Sequence, residues 1–105
     1  MWSSSSPDFG AQGVLDRFGQ IAPKILVAAD GYSYGGKRHD CCPRIAEVVR
    51  ALPSIQRSVL VRYLESGETA AIRDLVTWDD FLSPGAGSDP EFEPLPFNHP
   101  LYILY

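Results

Sequence analysis

A short, unbroken apolar run constrains the fold of this chain more than any other stretch. After Lys24 the sequence reads Ile-Leu-Val-Ala-Ala, with no alternation of polar and apolar side chains. This pattern predicts a strand near residues 24–29 that is buried on both faces, as parallel-sheet strands are. Asp30-Gly31 ends the run, and Gly35-Gly36 follows in a Gly-rich turn. Loops at this end of a parallel strand often bind ligands, although composition alone favours a plain turn into the next helix.

Helical patterns lie on both sides of this strand. Near residues 12–20, apolar residues recur on one helical face, and Asp8 is a candidate N-cap. Near residues 41–52, apolar residues again recur at helical spacing, with Asp40 as a candidate N-cap. Pro43 would fall in the first turn of this second helix, where its missing N–H does no harm. Two amphipathic helices are therefore predicted to pack on the sheet.

The second half of the chain contains further strand-like runs. Residues 58–64 are mostly apolar and predict a second strand, whereas residues 70–76 fit a short helix or a short strand equally well. Residues 77–82 predict one helical turn capped by a threonine. Residues 83–100 contain five prolines and predict an extended connection that lies over a surface. The apolar residues 101–105 have the character of a third, buried strand.

These elements predict an α/β fold with a small, mainly parallel three-stranded sheet and flanking helices. The strands are expected near residues 24–29, 58–64 and 101–105, and the first two are joined by a helical crossover of sufficient length. The expected spatial order is second, first, third, with the first strand in the centre, because a chain that reverses direction after one crossover gives that order.

Length and charge exclude several classes of protein. With 105 residues the chain is one domain at most, with 45% hydrophobic residues. The formal net charge of −4 gives no electrostatic footprint for nucleic acid. No apolar segment reaches the roughly 20 residues that cross a bilayer, and no signal peptide is recognisable. The sequence therefore predicts a cytoplasmic protein without a membrane or nucleic-acid partner.

The candidate reactive groups do not form a catalytic or metal-binding pattern. Cys41 and Cys42 are adjacent and follow His39, but one histidine and two neighbouring cysteines do not reproduce zinc-ligand spacing. The pattern therefore favours reduced thiols in the first turn of a helix. Asp79 and Asp80 are also adjacent, so they do not face each other on a helix and are expected at a solvated helix start. The sequence predicts no catalytic residue and no metal site.

Five stretches, in order along the chain, resemble one enzyme family. They are WSSSSPDFG at 2–10, GVLDRFGQI at 13–21, ADGY at 29–32, DDFL at 79–82 and FEPLPFNHPLYILY at 92–105. Together they closely resemble the acetoacetyl-CoA synthetases (acetoacetate–CoA ligases) of the adenylate-forming acyl-CoA synthetase superfamily.

The resemblance implies a single α/β subdomain over residues 1–105, part of a larger AMP-binding N-terminal domain with a flavodoxin- or Rossmann-like sheet. Residues 1–11 would lead into it, and residues 83–100 would be its Pro-rich connection. In that family the last strand runs into a Gly-rich loop that holds ATP phosphates, so the chain is expected to be a fragment that stops before this loop. The intact enzyme would use ATP, CoA and Mg²⁺, and none is expected to be bound to the fragment.

The resemblance also implies a CoA-binding side. Related acetyl-CoA synthetases hold the nucleotide phosphate of CoA with basic side chains just after the first strand, where Gly-rich backbone can approach closely. Here the candidate residues are Lys37, Arg38 and Tyr34. The alternative is that both cations are solvated loop charges, as surface cations commonly are.

Two classes of function stay open. The chain is either a structural subdomain of an acid–CoA ligase, inactive alone and partnered by the rest of the ligase chain, or a stand-alone small α/β module that binds a partner or itself. In both cases a three-stranded sheet has two edges, so a homo-oligomer is expected.

Overall fold

A computed structural model describes residues 1–105 and contains three α-helices, five strands and one short 3-10 helix. In chain order the elements are α1 (Ala11–Phe18), β1 (Ile25–Ala29), β2 (Gly31–Tyr34), β3 (Lys37–Asp40), α2 (Cys42–Ala51), β4 (Arg57–Val61), β5 (Leu75–Thr77), α3 (Trp78–Leu82) and the 3-10 helix (Ser83–Gly85).

The predicted parallel sheet and its helical crossover are confirmed. Strand β1 pairs in parallel with β4, in a register that joins Ile25 to Arg57 and Ala29 to Val61. Helix α2 lies between these two strands in the chain, as expected for a parallel connection. Strand β5 extends the same sheet, again in parallel. The fold is therefore α/β, with a three-stranded parallel sheet and flanking helices.

The predicted strand order and the predicted third strand are both wrong. The sheet runs β1–β4–β5, so the second strand is central and the first is at an edge. Residues 58–60 of β4 are at most 2% exposed, whereas Ile25 of β1 is 50% exposed. The third strand comes from the segment that fitted helix and strand equally well. Residues 101–105 pair only through one isolated parallel bridge, between Trp2 and Tyr102.

Both larger helices pack on the sheet through apolar faces. Phe18 is the buried residue of α1, and Ile45, Val48 and Val49 are buried on α2. They form one core with Leu26, Ile55 and Leu60 of the sheet and its connections, among other residues. This core holds the carboxyl ends of β1 and β4 side by side.

Neither aspartate predicted as an N-cap occupies that position. Cys41, not Asp40, is the N-cap residue of α2, and no N-cap side chain caps it. Asp40, one residue earlier, still accepts a hydrogen bond at its Oδ1 from the N–H of Cys42 at 2.8 Å. At α1 the prediction is wrong, because Gly10 occupies the N-cap position and no side chain caps the helix. Asp8 lies in a turn two residues before this N-cap position, so its side chain comes too early in the chain to cap Ala11–Phe18.

The predicted helical turn after β5 is confirmed with its cap. The hydroxyl of Thr77 accepts from the N–H of Asp80 at 3.1 Å and donates to the Asp80 carboxylate at 2.7 Å. Asp79 and Asp80 lie exposed in the first turn, near the positive end of the helix.

The Pro-rich segment does not pack as predicted. After the 3-10 helix, residues 86–100 contain neither helix nor strand, and every one of them is exposed. Phe92 is 87% exposed, so its ring does not lie against a surface.

None of the helices is both long and apolar enough to cross a membrane.

Candidate functional site

The Gly-rich stretch after β1 folds into a β-hairpin rather than a plain turn into α2. Strands β2 and β3 pair antiparallel, and Gly35 and Gly36 form the two-residue turn between them. Both glycines have positive φ, +58° and +72°, as both central residues of a type I′ turn do. Gly-Gly between two short polar-aromatic runs is a recognised hairpin signal, so the sequence could have indicated this feature.

The hairpin brings two of the three predicted CoA-side residues together. Tyr34 and Lys37 face each other across the strands next to the turn, so their side chains share one face. Arg38 is opposite Ser33, and the alternation of side chains along a strand turns it to the other face. There its guanidinium donates a hydrogen bond to the carbonyl oxygen of Leu64. The two cations therefore do not converge on one point.

The face that carries Tyr34 and Lys37 also carries a ring pair. Tyr32 and His39 are the next opposite pair along the hairpin. Their rings are stacked with centroids 4.8 Å apart and an interplanar angle of 11°. Tyr34 is 77% exposed. The result is an exposed surface with an aromatic ring and a cation at its tip and a stacked ring pair at its base.

A buried carboxylate that the sequence analysis did not single out lies at the foot of this hairpin. Asp30 directly follows β1 and is fully buried. Its Oδ1 accepts from the backbone N–H groups of Tyr63 and Leu64 at 2.9 and 2.8 Å, and its Oδ2 accepts from Ser66 at 3.2 Å. An aspartate that directly follows an apolar strand and precedes a glycine is the sequence signal that could have indicated it.

The surroundings of Asp30 keep it ionised. Burial by itself raises the pKa of the carboxyl, but the backbone N–H donors around it, led by Leu64 and Ser66, outweigh burial and lower the pKa below its ordinary value of 3.8. Because the folded-state pKa is the lower one, the contribution of Asp30 to stability is present above the ordinary value. It is lost as the pH falls through the folded-state value.

The two cysteines are free and buried, and both are poor nucleophiles. Burial raises the pKa of Cys41, against the lowering effect of the neighbouring Arg44 guanidinium. Burial also raises the pKa of Cys42 to about 11. Both thiols are therefore protonated at neutral pH, the form that neither attacks nor binds metal readily. No group of three or more His, Cys, Asp or Glu side chains is arranged to hold a metal ion.

A second surface feature is the free edge of β1. The N–H of Asp30 and the carbonyl of Lys24 bond toward β4, so by alternation the backbone groups of Ile25, Val27 and Ala29 point away from the sheet. A mainly apolar cavity of about 830 Å³ lies beside this edge, between β1, α1 and the N-terminal residues. The edge is thus open to another strand.

Comparison with known proteins gives a consistent result. No family model matches the chain. The acetoacetyl-CoA synthetase of Mus musculus is 45% identical over 111 aligned residues, and the acetoacetyl-coenzyme A synthetase of Rhizobium meliloti (strain 1021) is 48% identical over 109. The solved acetoacetyl-CoA synthetase from Streptomyces lividans superposes with a TM-score of 0.89 at 39% identity.

These matches cover all of this chain and a small part of each relative. The alignments cover 100% of this chain, but the chain spans only 16% of the length of the mouse, Rhizobium and Streptomyces proteins. The sequence and the fold agree on the same stretch, which corresponds to a part of a larger protein. This chain is therefore homologous, over its whole length, to one segment of the acetoacetyl-CoA synthetases.

Proposed function

We propose that this chain is a structural subdomain of an ATP-dependent acetoacetate–CoA ligase, and that its hairpin contributes a contact to CoA. The intact enzyme would convert acetoacetate, ATP and CoA to acetoacetyl-CoA, AMP and diphosphate. The match to acetoacetyl-CoA synthetases over the whole of this chain supports the ligase assignment. The partner of the subdomain is the rest of the ligase chain, because it corresponds to 16% of its relatives.

The pairing of Tyr34 with Lys37 on one exposed face carries the CoA part of this proposal. A Lys ammonium suits the dianionic phosphate of the CoA nucleotide, and an exposed aromatic ring beside it offers a surface for a base to stack on. The turn glycines have no side chains that would block the approach of a phosphate. Arg38 is turned to the opposite face and donates to the Leu64 carbonyl, so we assign the contact to Lys37 and Tyr34 and none to Arg38.

The residues present do not fit ATP or Mg²⁺. Gly35 and Gly36, which precede Lys37, are the two residues of a hairpin turn, and they lack the spacing of a nucleotide phosphate loop. No acidic cluster is arranged to hold a metal ion. ATP and Mg²⁺ would therefore bind to other parts of the intact ligase, and no chemical step is assigned to this chain.

CoA affinity and its dependence on Lys37 test the contact. We expect calorimetry to show weak CoA binding that drops roughly fivefold in Lys37→Ala and falls with added salt, because one exposed charge contributes about 1 kcal/mol. Dephospho-CoA should bind no better than the variant binds CoA. The matched control is Lys24→Ala, an exposed lysine at the opposite end of β1. Equal affinities for CoA and dephospho-CoA in the wild-type chain would refute a phosphate contact at the hairpin.

The chain alone is expected to be catalytically inactive. Adenylation needs groups that hold the α-phosphate in line with the attacking carboxylate and neutralise its charge, and they supply most of the rate enhancement. We expect no acetoacetate-dependent exchange of pyrophosphate into ATP by the purified 105-residue chain. Exchange above background, in a preparation free of host ligase, would contradict this assignment.

The second candidate function is a self-associating module, and the free edge of β1 favours it. Two such edges related by a two-fold axis can pair antiparallel and bury Ile25 and its neighbours. We expect sedimentation to show a concentration-dependent dimer, which Ile25→Lys shifts to monomer. Phe92→Lys, at an exposed residue that does not line the cavity beside this edge, should leave the dimer intact. A wild-type monomer at all concentrations would exclude this module.

A further inference from the structure

We propose that Asp30 is a positioning residue: its buried carboxylate holds the loop of residues 62–67 against the foot of the hairpin and thereby orients the face that carries Tyr34 and Lys37. We call residues 62–67 the clamp loop. The functional consequence rests on the CoA contact proposed above, whereas the structural consequence can be tested without any ligand.

The clamp loop depends on Asp30 because its own backbone is unfavourable. Glu65 has a φ of +52° and Gly67 a φ of +97°, and the left-handed region costs a residue with a side chain about 1 kcal/mol or more. This path turns the N–H groups of Tyr63, Leu64 and Ser66 toward one point, where the Asp30 carboxylate accepts all three. Without an acceptor there, the N–H groups of Leu64 and Ser66 would be left unpaired, whereas that of Tyr63 keeps its second hydrogen bond, to the Val61 carbonyl at 3.1 Å.

The clamp loop in turn contacts both strands of the hairpin. Arg38 on β3 donates to the carbonyl of Leu64. A Cβ on Gly31, the first residue of β2, would lie 2.5 Å from Cδ1 of Leu64, and a Cβ on Gly67 would lie 2.6 Å from Oδ1 of Asp40. The clamp loop therefore packs at close range against the start of β2 and the end of β3.

The main chain of Asp30 fixes the same junction from the other side. Its N–H donates to Val61 at 3.0 Å, and its carbonyl accepts from Cys41 at 2.8 Å. The thiol of Cys42 also donates to this carbonyl at 3.7 Å. One residue thus connects the end of β1, the end of β4 and the start of α2, and only its side chain reaches the clamp loop.

The negative charge of Asp30 is essential to this role. An asparagine of the same shape has only one acceptor oxygen. Its NH₂ group would point two further donors at backbone N–H groups, which are themselves donors and cannot accept. The titratable groups that feel the charge of Asp30 are the thiols of Cys41, at the N-cap of α2, and of Cys42, in its first turn. The Cys42 thiol also lies near Asp40 and Arg62. The thiols stay neutral through the acidic range, so an acid-induced release is governed by the carboxylates.

The test compares the wild-type chain with Asp30→Asn, using amide hydrogen exchange and residual dipolar couplings measured by NMR. In the variant, the amides of Leu64 and Ser66 should exchange about tenfold faster or more, while those of Val59 and Leu60 in β4 keep their rates. The couplings should show the hairpin reoriented relative to the sheet. Asp89→Asn, an exposed acid without a hydrogen-bond partner, is the matched control and should change neither readout.

An acid titration of the wild-type chain keeps the test valid if Asp30→Asn does not fold. As the pH falls through the lowered pKa of Asp30, exchange of the clamp-loop amides, corrected for intrinsic rates, should rise before that of the β4 amides. Clamp-loop protection that matches the wild type in Asp30→Asn, or a hairpin that keeps its orientation when that protection is lost, would overturn the proposal.

If the wild-type chain binds CoA, Asp30→Asn should weaken CoA binding although Lys37 is intact. If CoA does not bind at all, the CoA proposal fails, and exchange and couplings still decide the positioning role.

Discussion

Replacing Gly31 by alanine is expected to lower the free energy of unfolding by about 3 kcal/mol, the upper end for an overpacked site. Gly31 is buried at the start of β2, and a Cβ there would overlap the carbonyl oxygen of His39 and lie 2.5 Å from Cδ1 of Leu64. The oxygen belongs to the backbone of β3, so it cannot move aside without disturbing the hairpin. The leucine belongs to the clamp loop, which Asp30 holds in place.

Urea unfolding followed by circular dichroism measures this effect. The matched control is Gly85→Ala, because a Cβ at that exposed position meets no atom within 4 Å and its φ is ordinary. We expect an unfolding midpoint close to that of the wild type for the control. For Gly31→Ala we expect a much lower midpoint, or no cooperative transition. Equal midpoints for the two variants would show that the hairpin foot tolerates the added methyl group.

The sequence was sufficient for the parallel crossover because each part of it has a local signal. The apolar run of β1, the amphipathic face of α2 and the apolar run of β4 occur in order, and their lengths fit one connection. The helical turn after β5 was predictable for the same reason, since Thr77 followed by Asp80 is a local capping pattern.

The strand order could not be read from local signals. Residues 101–105 are apolar enough for a buried strand, yet they pair only with Trp2, whereas the shorter Leu75–Thr77 joins the sheet. Which run becomes the third strand depends on the space beside β4 and on the short connection after it. The unbroken apolar run of β1 is typical of a strand buried on both faces, so it did not show that β1 is an edge strand. In the structure β1 lies at the edge, and half of Ile25 is exposed.

The family resemblance supplied candidate residues for the site but not their arrangement in space. Tyr34, Lys37 and Arg38 were identified through the family resemblance, but the sequence did not reveal that alternation along a hairpin separates Arg38 from the other two. Asp30 was read only as the end of a strand. Its role depends on backbone N–H groups more than thirty residues away, which no local pattern reports.

The largest effect of a core truncation is expected at Leu60, in the central strand. Leu60 is 2% exposed and belongs to the core that joins the sheet to α1 and α2. Leu60→Ala should lower the free energy of unfolding by about 2–5 kcal/mol, because both the transfer energy and a residual cavity contribute. For a single small domain this is a large part of the total stability, so loss of the cooperative transition is also an expected result.

Leu104→Ala is the matched comparison, since it makes the same chemical change in the segment predicted from sequence to be a buried strand. Leu104 is 82% exposed, so its truncation removes little apolar burial and should change the free energy of unfolding by less than about 0.5 kcal/mol. Urea unfolding of both variants at one protein concentration gives the two values directly. If Leu104→Ala cost as much as Leu60→Ala, the terminal residues would be packed in the sheet and the order β1–β4–β5 would be incomplete. A large loss at Leu60 alone supports β4 as the centre of the fold and the terminal segment as a surface element.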